Sequence, residues 1–288
     1  MNDSHKVAGV TVLYNPDSVV ADNIRSYIDQ IDRLFVVDNS DDACTETAHA
    51  IAMMANVVYI NNNSNLGIAQ ALNTGATMAL REGYHYLLTM DQDSKATPGM
   101  VATLLECFNR IDACQLGIIS PFHLTAVDTV PPKGECCHEV LTAWTSGNIL
   151  NLQAFEAVGP FREDLFIDFV DHEYCLRLQS NGYRVLMANR AILHHAIGTN
   201  LRKNRFLHLT LITSNHSALR RYYITRNRFW VTRTYPQFKE FCWIDRRRFW
   251  AELVNILFFE DAKWQKYLMI MRGYLDFRRG KMGKFIPQ

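Results

Sequence analysis

Four apolar runs, each ending in a cluster of polar residues, recur along the first third of the chain. They are VAGVTVLY at 7–14, LFVVDNS at 34–40, NVVYINN at 56–62 and YLLTMDQDS at 86–94. Short runs of this kind, rich in Val, Ile and Leu, are the pattern of strands buried on both faces. The segments between them have a helical period: NPDSVVADNIRSYIDQI, Ala43 to Met54, and LGIAQALNTGATMALREG at 66–83. Strand and helix in alternation predict an α/β fold, a mostly parallel mixed sheet flanked by helices. Ligands in such sheets bind beyond the carboxyl ends of the strands. Tyr14-Asn15, Asp38-Asn39-Ser40, Asn61-Asn62-Asn63 and Asp91-Gln92-Asp93 all stand at predicted strand ends, so four polar clusters converge on one edge.

The last of these clusters carries the most chemistry. Asp91 and Asp93 are two positions apart, and on an extended backbone they project to the same side. Two convergent carboxylates suit a hard divalent cation, and Mg²⁺ in particular binds through one or two carboxylates plus substrate phosphates. The competing reading of DQDSKATPG is a solvated turn, since Asp, Ser, Thr, Pro and Gly also serve a strand-to-helix connection. Neither a Gly-x-Gly-x-x-Gly after the first strand nor a Gly-x-x-x-x-Gly-Lys-Ser/Thr occurs, so dinucleotide and P-loop readings lose their support.

A second group lies between 145 and 200. Ser146 and Gly147 suit a close approach of backbone to a ligand. Asp171 opens a predicted helix, DHEYCLRLQSNG, with Gly182 as its stop; an Asp there also serves as an N-cap, worth about 1 kcal/mol. Asp168 competes with Asp171 as the reactive acid, and Glu173 with Arg177 reads as a surface ion pair. RVLMANRAILHHAIGTN at 184–200 reads as two short strands ending in His194 and His195. Adjacent residues of a strand face opposite ways, so at most one of these imidazoles reaches a shared site.

With 288 residues and 48% apolar content, the chain can bury a substantial core. No signal peptide and no apolar run long enough to cross a bilayer are evident, and the seven cysteines form neither a Cys-x-x-Cys pair nor a regular framework. A cytoplasmic location is expected, and incidental thiols are favoured over a Cys136–Cys137 redox pair. Charge is unevenly distributed: residues 201–288 carry 19 Lys or Arg against 6 Asp or Glu, while the preceding 200 carry 11 against 23. The basic stretches 217–238 and 245–284 are rich in Trp, Tyr and Phe and read as helical. Such a composition suits peripheral contact with anionic lipid at the inner face of the cell membrane, and equally a structural layer that closes the domain. A nucleic-acid partner is not expected, since no recognition motif accompanies the charge.

Taken in order, VTVLYN, VVDNS, NLGIAQALNTG, DQDS, TSGN, FIDFVDHEYCLR and AILHHAIG resemble the family 2 glycosyltransferases of the GT-A fold, and among them the bacterial rhamnosyltransferases. The resemblance covers about residues 7 to 200. It implies a GT-A catalytic domain over 1–200, with a nucleotide-binding half to about 95 and an acceptor half from about 96, followed by a helical C-terminal region over 201–288. It implies that Tyr14, Asn15, Asp38, Asn65, Gly67, Asn73, Asp91, Gln92, Ser146 and Gly147 contact a nucleotide sugar. Asp91, Asp93 and His195 then hold Mg²⁺ or Mn²⁺, with His195 preferred because Ala191, Leu193, His195 and Gly198 fit the family's register. Asp171 becomes the catalytic base.

The expected activity is inverting transfer of L-rhamnose from dTDP-L-rhamnose to a bacterial surface polysaccharide, such as an O-antigen, or to its lipid-linked precursor. The alternatives are another donor such as a UDP-hexose, and a non-catalytic nucleotide-sugar-binding module of membrane assembly. Two carboxylates around a sugar also fit a glycoside hydrolase. A metal motif at parallel-strand ends favours transfer.

Overall fold

A parallel strand with neighbours and helices on both sides needs apolar residues at nearly every position, and the first strands supply them. In β1 (Val7–Leu13) and β2 (Arg33–Asp38) almost every residue is buried, and the run Leu34 to Val37 has no solvent exposure. Their neighbours β3 (Val57–Asn61) and β4 (Tyr86–Asp91) complete a parallel set in the order β3-β2-β1-β4. Helices α1 (Val19–Arg25), α2 (Glu46–Ala52) and α3 (Ile68–Arg81) connect them. α3 lies so close to β1 that a Cβ on Gly75 would stand 2.3 Å from Val10 Cγ2. Only glycine permits that approach.

This structure is a computed structural model describing residues 6–41, 45–108, 115–125, 130–131, 135–195, 202–206, 209–213 and 215–287. The chain divides into two compact units, Met1–Glu163 with Asp171–Ala196, and Asp164–Val170 with Ile197–Gln288. In the first unit the sheet continues past β4 through β5 (Ser94–Ala96), β6 (Leu116–Leu124), β7 (Cys137–Glu139), β8 (Asn148–Asn151) and β9 (Arg184–His195). The path runs β4-β8-β6-β9-β5, with β7 also paired to β9. β8 is antiparallel to both β4 and β6, whereas β6 and β9 are parallel, so the sheet is mixed. Helices α4 (Met100–Phe108), α5 (Leu152–Val158) and α6 (Val170–Ser180) complete the unit.

Several local expectations need correcting. The helix expected after β1 breaks into α1 and a 3-10 turn at Ile28–Gln30. α2 starts at Glu46, where Thr45 Oγ1 accepts the Ala48 N–H at 3.1 Å as an N-cap; Ala43 and Cys44 lie outside the described residues. Residues 184–195 form one long strand rather than two. Its register against β6 jumps from Pro121↔Ala188 to Phe122↔Ile192, because a proline cannot donate to the ladder and the partner strand bulges there. Cys107, Cys136 and Cys137 gather with sulfurs within 4.8 Å of one another, and burial pushes the Cys107 thiol up to about 12.

The second unit contains the hairpin β10 (Arg202–Phe206) and β11 (Leu209–Thr213), then α7 (Ala218–Thr234), α8 (Lys239–Phe259) and α9 (Lys263–Arg278). Part of its basic charge is structural. Buried Arg228 donates Nε to both oxygens of Asp245 at 3.0 Å and its terminal nitrogens to Glu252 at 2.8 and 2.9 Å. Arg221 and Lys266 share buried Glu260 at 2.7 and 2.8 Å. Among the described residues, no helix is long and apolar enough to cross a membrane.

Candidate functional site

The polar clusters at the carboxyl ends of β1, β2 and β3 are tied to one another by hydrogen bonds. Asp38, fully buried at the end of β2, accepts the Ser40 N–H at 2.8 Å and the Tyr59 hydroxyl. Ser40 Oγ in turn accepts the N–H of Asn15, whose φ of 47° is a left-handed conformation that Asn tolerates. Asn39 Nδ2 donates to the Gly67 carbonyl at 3.0 Å, and Asn65 Oδ1 accepts the Gly67 N–H at 3.0 Å. Gly67 caps α3 at φ 91°. Tyr14 is exposed after β1, and its backbone N–H and C=O are bridged by the Gln92 amide at 2.8 and 3.2 Å. Gln92 therefore anchors the acid turn to the end of β1. Asn73 faces elsewhere: its amide bonds both Phe161 backbone groups, at 2.8 and 2.9 Å, and Glu163.

Asp91 and Asp93 do not share one extended strand. β4 ends at Asp91, Gln92 and Asp93 form a turn, and β5 begins at Ser94. The carboxylates nevertheless converge, because β5 pairs antiparallel with the end of β9 and sets Ser94 opposite His195 and Lys95 opposite His194. Ligand atoms of Asp91, Asp93 and His195 lie within 4.8 Å of one another. His194 is exposed on the other face, as strand alternation requires. The register that led to His195 included Gly198, which lies outside the described residues.

A chain of hydrogen bonds runs beneath these three groups. The Asp91 N–H donates to Ser146 Oγ at 3.0 Å, Ser146 Oγ to Ser94 Oγ at 2.8 Å, and Ser94 Oγ meets His195 Nδ1 at 2.6 Å. Both serines are fully buried. His195 Nδ1 also lies 3.6 Å from Asp93 Oδ1, so the ring edge that meets Ser94 is turned toward the acids, and Ser94 fixes the orientation of the imidazole, as outer hydrogen bonds do for histidine ligands. Two carboxylates and one imidazole form a donor set that fits Mg²⁺ or Mn²⁺. Gly147 has φ 83°, and a Cβ there would lie 2.6 Å from Pro121, so glycine lets this turn pack under the acids.

Two further residues complete the cluster, and sequence reasoning missed both. His123, on β6, is buried with its ring 5.9 Å from His195, and the Trp144 ring lies 5.1 Å from His123 and 5.8 Å from His195. His123 Nε2–H donates to the Ser146 carbonyl at 2.7 Å. Burial pushes the His123 imidazole down to about 4; the Ser146 bond opposes this, His195 adds to it and Asp171 opposes it. His123 thus feels both His195 and Asp171. No motif marks it, but the AWTSG stretch that carries Trp144 adjoins Ser146 and was a usable signal.

Asp171 lies in the first turn of α6, one residue inside the helix rather than at its cap. Its Oδ1 accepts the His172 N–H at 2.8 Å and His172 Nδ1 at 2.7 Å. Burial alone would raise this carboxyl; the His172 imidazole, by charge and hydrogen bond, brings it below the usual carboxylate range. With Thr89, Thr145, Asn148 and Tyr174, Asp171 lines a small cavity of about 10 Å³. Glu173 and Arg177 are not a surface pair as expected: Glu173 is buried, and Arg177 also grips the carbonyls of Val158 and Pro160 at 3.1 and 2.8 Å.

Asp168, the competing acid, belongs to the C-terminal unit, where Arg220 binds its carboxylate at 3.0–3.2 Å. Phe166, Asp168 and Phe169 all have φ of 62–66°, a conformation that costs roughly 1–2 kcal/mol for each such residue. In the same unit, Asn227 Nδ2 donates to the carbonyls of Leu165, Ile167 and Asp168 at 2.8–2.9 Å, and Arg226 to those of Asp164 and Leu165. These bonds hold the strained segment in place.

Comparison with known proteins agrees with this architecture. Residues 10–130 match the family model described as Glycosyl transferase family 2. Over 252 residues the chain is 26% identical to the dTDP-rhamnosyl transferase RfbF of Shigella flexneri, covering 79% of this chain and 80% of that protein. Among solved structures it resembles GalNAc-T7 with UDP, GalNAc and Mn²⁺ (TM-score 0.60, 12% identity, 81% of this chain and 48% of that one). It also resembles S. aureus TarS (TM-score 0.53, 14% identity, 93% and 43%). The chain spans about half the length of these solved chains, and the likeness establishes the GT-A fold.

Proposed function

We propose that this chain, with the GT-A fold and a match to the Glycosyl transferase family 2 model over residues 10–130, is a family 2 glycosyltransferase that transfers L-rhamnose from dTDP-L-rhamnose, with inversion, to a bacterial surface polysaccharide or its lipid-linked precursor. One observation carries the chemistry: ligand atoms of Asp91, Asp93 and His195, from the end of β4, the turn after it and the end of β9, converge within 4.8 Å of one another. The likeness to a dTDP-rhamnosyl transferase supports the choice of sugar.

In this reading the ends of β1, β2 and β3, with Tyr14, Asn15, Asp38, Asn65 and Gly67, receive the nucleotide. Asn73 acts one step back, by fixing the Phe161 backbone. Ser146 and Ser94 orient His195, and Gln92 sets the acid turn on β1. Asp91, Asp93 and His195 would hold a divalent cation, which when bound would supply Lewis-acid stabilisation of the charge on the leaving diphosphate. Asp171 takes the proton of the acceptor hydroxyl as that oxygen attacks the anomeric carbon, and no covalent enzyme intermediate forms. The carboxylate stays ionised for this because His172 holds its pKa down against burial.

The test is a panel of nucleotide sugars, each with Mn²⁺ or Mg²⁺, scored by thermal stabilisation and by release of nucleoside diphosphate with a glycan acceptor. A donor present well above its Kd raises the folded state's stability by mass action. dTDP-L-rhamnose is expected to stabilise most and to be turned over. Preference for a UDP-hexose would replace the donor, and binding without turnover on any acceptor or water would make the chain a nucleotide-sugar-binding module.

A further inference from the structure

The C-terminal unit contains a cavity of about 540 Å³ that the transfer chemistry does not use. Its volume is that of a small-molecule site. Phe229 of α7, Phe249 of α8 and Phe277 of α9 supply apolar walls, and Arg233, Lys239 and Arg246 stand around it as cations. The one lining acid, Asp245, is held by Arg228, so it does not neutralise the other three. Among the described residues, no carboxylate pairs with Arg233, Lys239 or Arg246; Arg233 instead lies over the Phe277 ring at 5.8 Å. Three exposed cations around an aromatic pocket fit a phosphate carried on an apolar group.

The surroundings identify that group. Trp243 lines the cavity, and from it Trp250 and Leu257 follow at seven-residue spacing along α8, with Val254 and Phe258 beside them. On α9, Trp264, Leu268, Met271 and Leu275 repeat the spacing of four and three. All nine of these large apolar side chains are exposed, on helices whose remaining surface is rich in Arg and Lys. Apolar stripes that carry Trp beside basic residues are the pattern of helices lying in a bilayer interface, where long cationic side chains reach up to phosphates. A second copy of the chain fits less well. A two-fold interface places the same patch on both partners and would bring the two sets of cations together.

We infer that this cavity is a headgroup site for an anionic phospholipid, with Arg233, Lys239 and Arg246 taking the phosphate while Trp243 and the α8–α9 stripe meet the acyl chains. The inference is independent of which sugar is transferred, because every residue in it belongs to the C-terminal unit.

The test uses the full chain and three probes: monomeric dihexanoyl phosphatidylglycerol, inorganic phosphate, and phosphatidylcholine vesicles with and without phosphatidylglycerol. R233Q/K239Q/R246Q is compared with R248Q/K263Q/R279Q, which removes equal charge from exposed positions off the cavity. Circular dichroism melting verifies that both fold. The short lipid is expected to bind the parent and the control saturably. The cavity variant is expected to lose on the order of 100-fold, from about five-fold for each cation near an anionic surface.

Equal weakening in the two triple variants would mean smeared surface charge and would overturn the site. So would inorganic phosphate binding as tightly as the lipid, a short isoprenyl diphosphate preferred at least about tenfold over phosphatidylglycerol, or a parent that dimerises in sedimentation and ignores vesicles.

Discussion

Replacing Asp171 by Asn separates the proposed chemistry from the fold most cleanly. Oδ1 of Asp171 accepts two bonds from His172, one from the backbone and one from Nδ1, and an Asn keeps an oxygen in the same place to accept both. Only the charge is lost. Hydrogen bonds to a charged group contribute about 1 kcal/mol more than neutral ones, so two of them put the loss of stability near 2 kcal/mol. In a domain of this size that lowers Tm by about 4–8 °C and leaves the protein folded at 25 °C. Loss of a general base, by contrast, lowers kcat about 10²- to 10⁴-fold, equivalent to roughly 3–5 kcal/mol of barrier.

The assay is diphosphate release under saturating donor and acceptor, with the donor Kd measured separately. The expected result is a collapse in kcat, an unchanged donor Kd and a modest fall in Tm. The pH dependence follows the same logic. A base whose pKa lies below the ordinary carboxylate range is active above that pKa and is lost only as pH falls through it, so Asp171 contributes no decline between pH 7 and pH 5. A kcat within about threefold of the parent would remove Asp171 from the mechanism.

Three other outcomes are expected. Chelation should abolish transfer and Mn²⁺ restore it, and Ser94→Ala, which removes the partner of His195 Nδ1, should raise the metal concentration for half-maximal activity about 10- to 100-fold in a Mn²⁺ titration. Arg228→Met strips the buried Asp245 of its cation and should cost about 3–5 kcal/mol in urea unfolding, whereas exposed Arg248→Gln should change little. His123 is pushed down to about 4, so an unfolded chain takes up a proton there that the folded one refuses. Stability is therefore lost as pH falls from about 6.5 to about 4, and His123→Gln should remove about 3 kcal/mol of that slope in denaturation curves. His216 is lowered by burial in the same way and should keep its own share of the slope in that variant.

The parallel core was legible because its determinants are local. Leu34 to Val37 are apolar at successive positions, and Leu87 to Met90 are apolar but for a buried Thr89, a pattern of strands covered on both faces, and each run ends in residues suited to a turn. Strand alternation also fixed that only one of His194 and His195 could enter a site. The conformation of the acid pair was not legible. A turn and an extended continuation have similar local preferences for Gln92 and Asp93, and the pairing of β5 with β9, about 100 positions apart in sequence, selects the turn.

By itself, then, the sequence determined an α/β sheet with polar strand ends, an acid cluster after β4 and a basic, aromatic C-terminal stretch. The tertiary structure decided what those groups face. It brought Ser94, Ser146 and His123 around His195, gave Asp168 to Arg220 and left Asp171 at a small cavity, and it buried Arg221 and Arg228 while leaving Arg233, Lys239 and Arg246 outside. The physical reason is common to all of these. Solvation, pKa and charge pairing depend on neighbours supplied by distant segments, and nothing in a residue's local sequence encodes which neighbours will arrive.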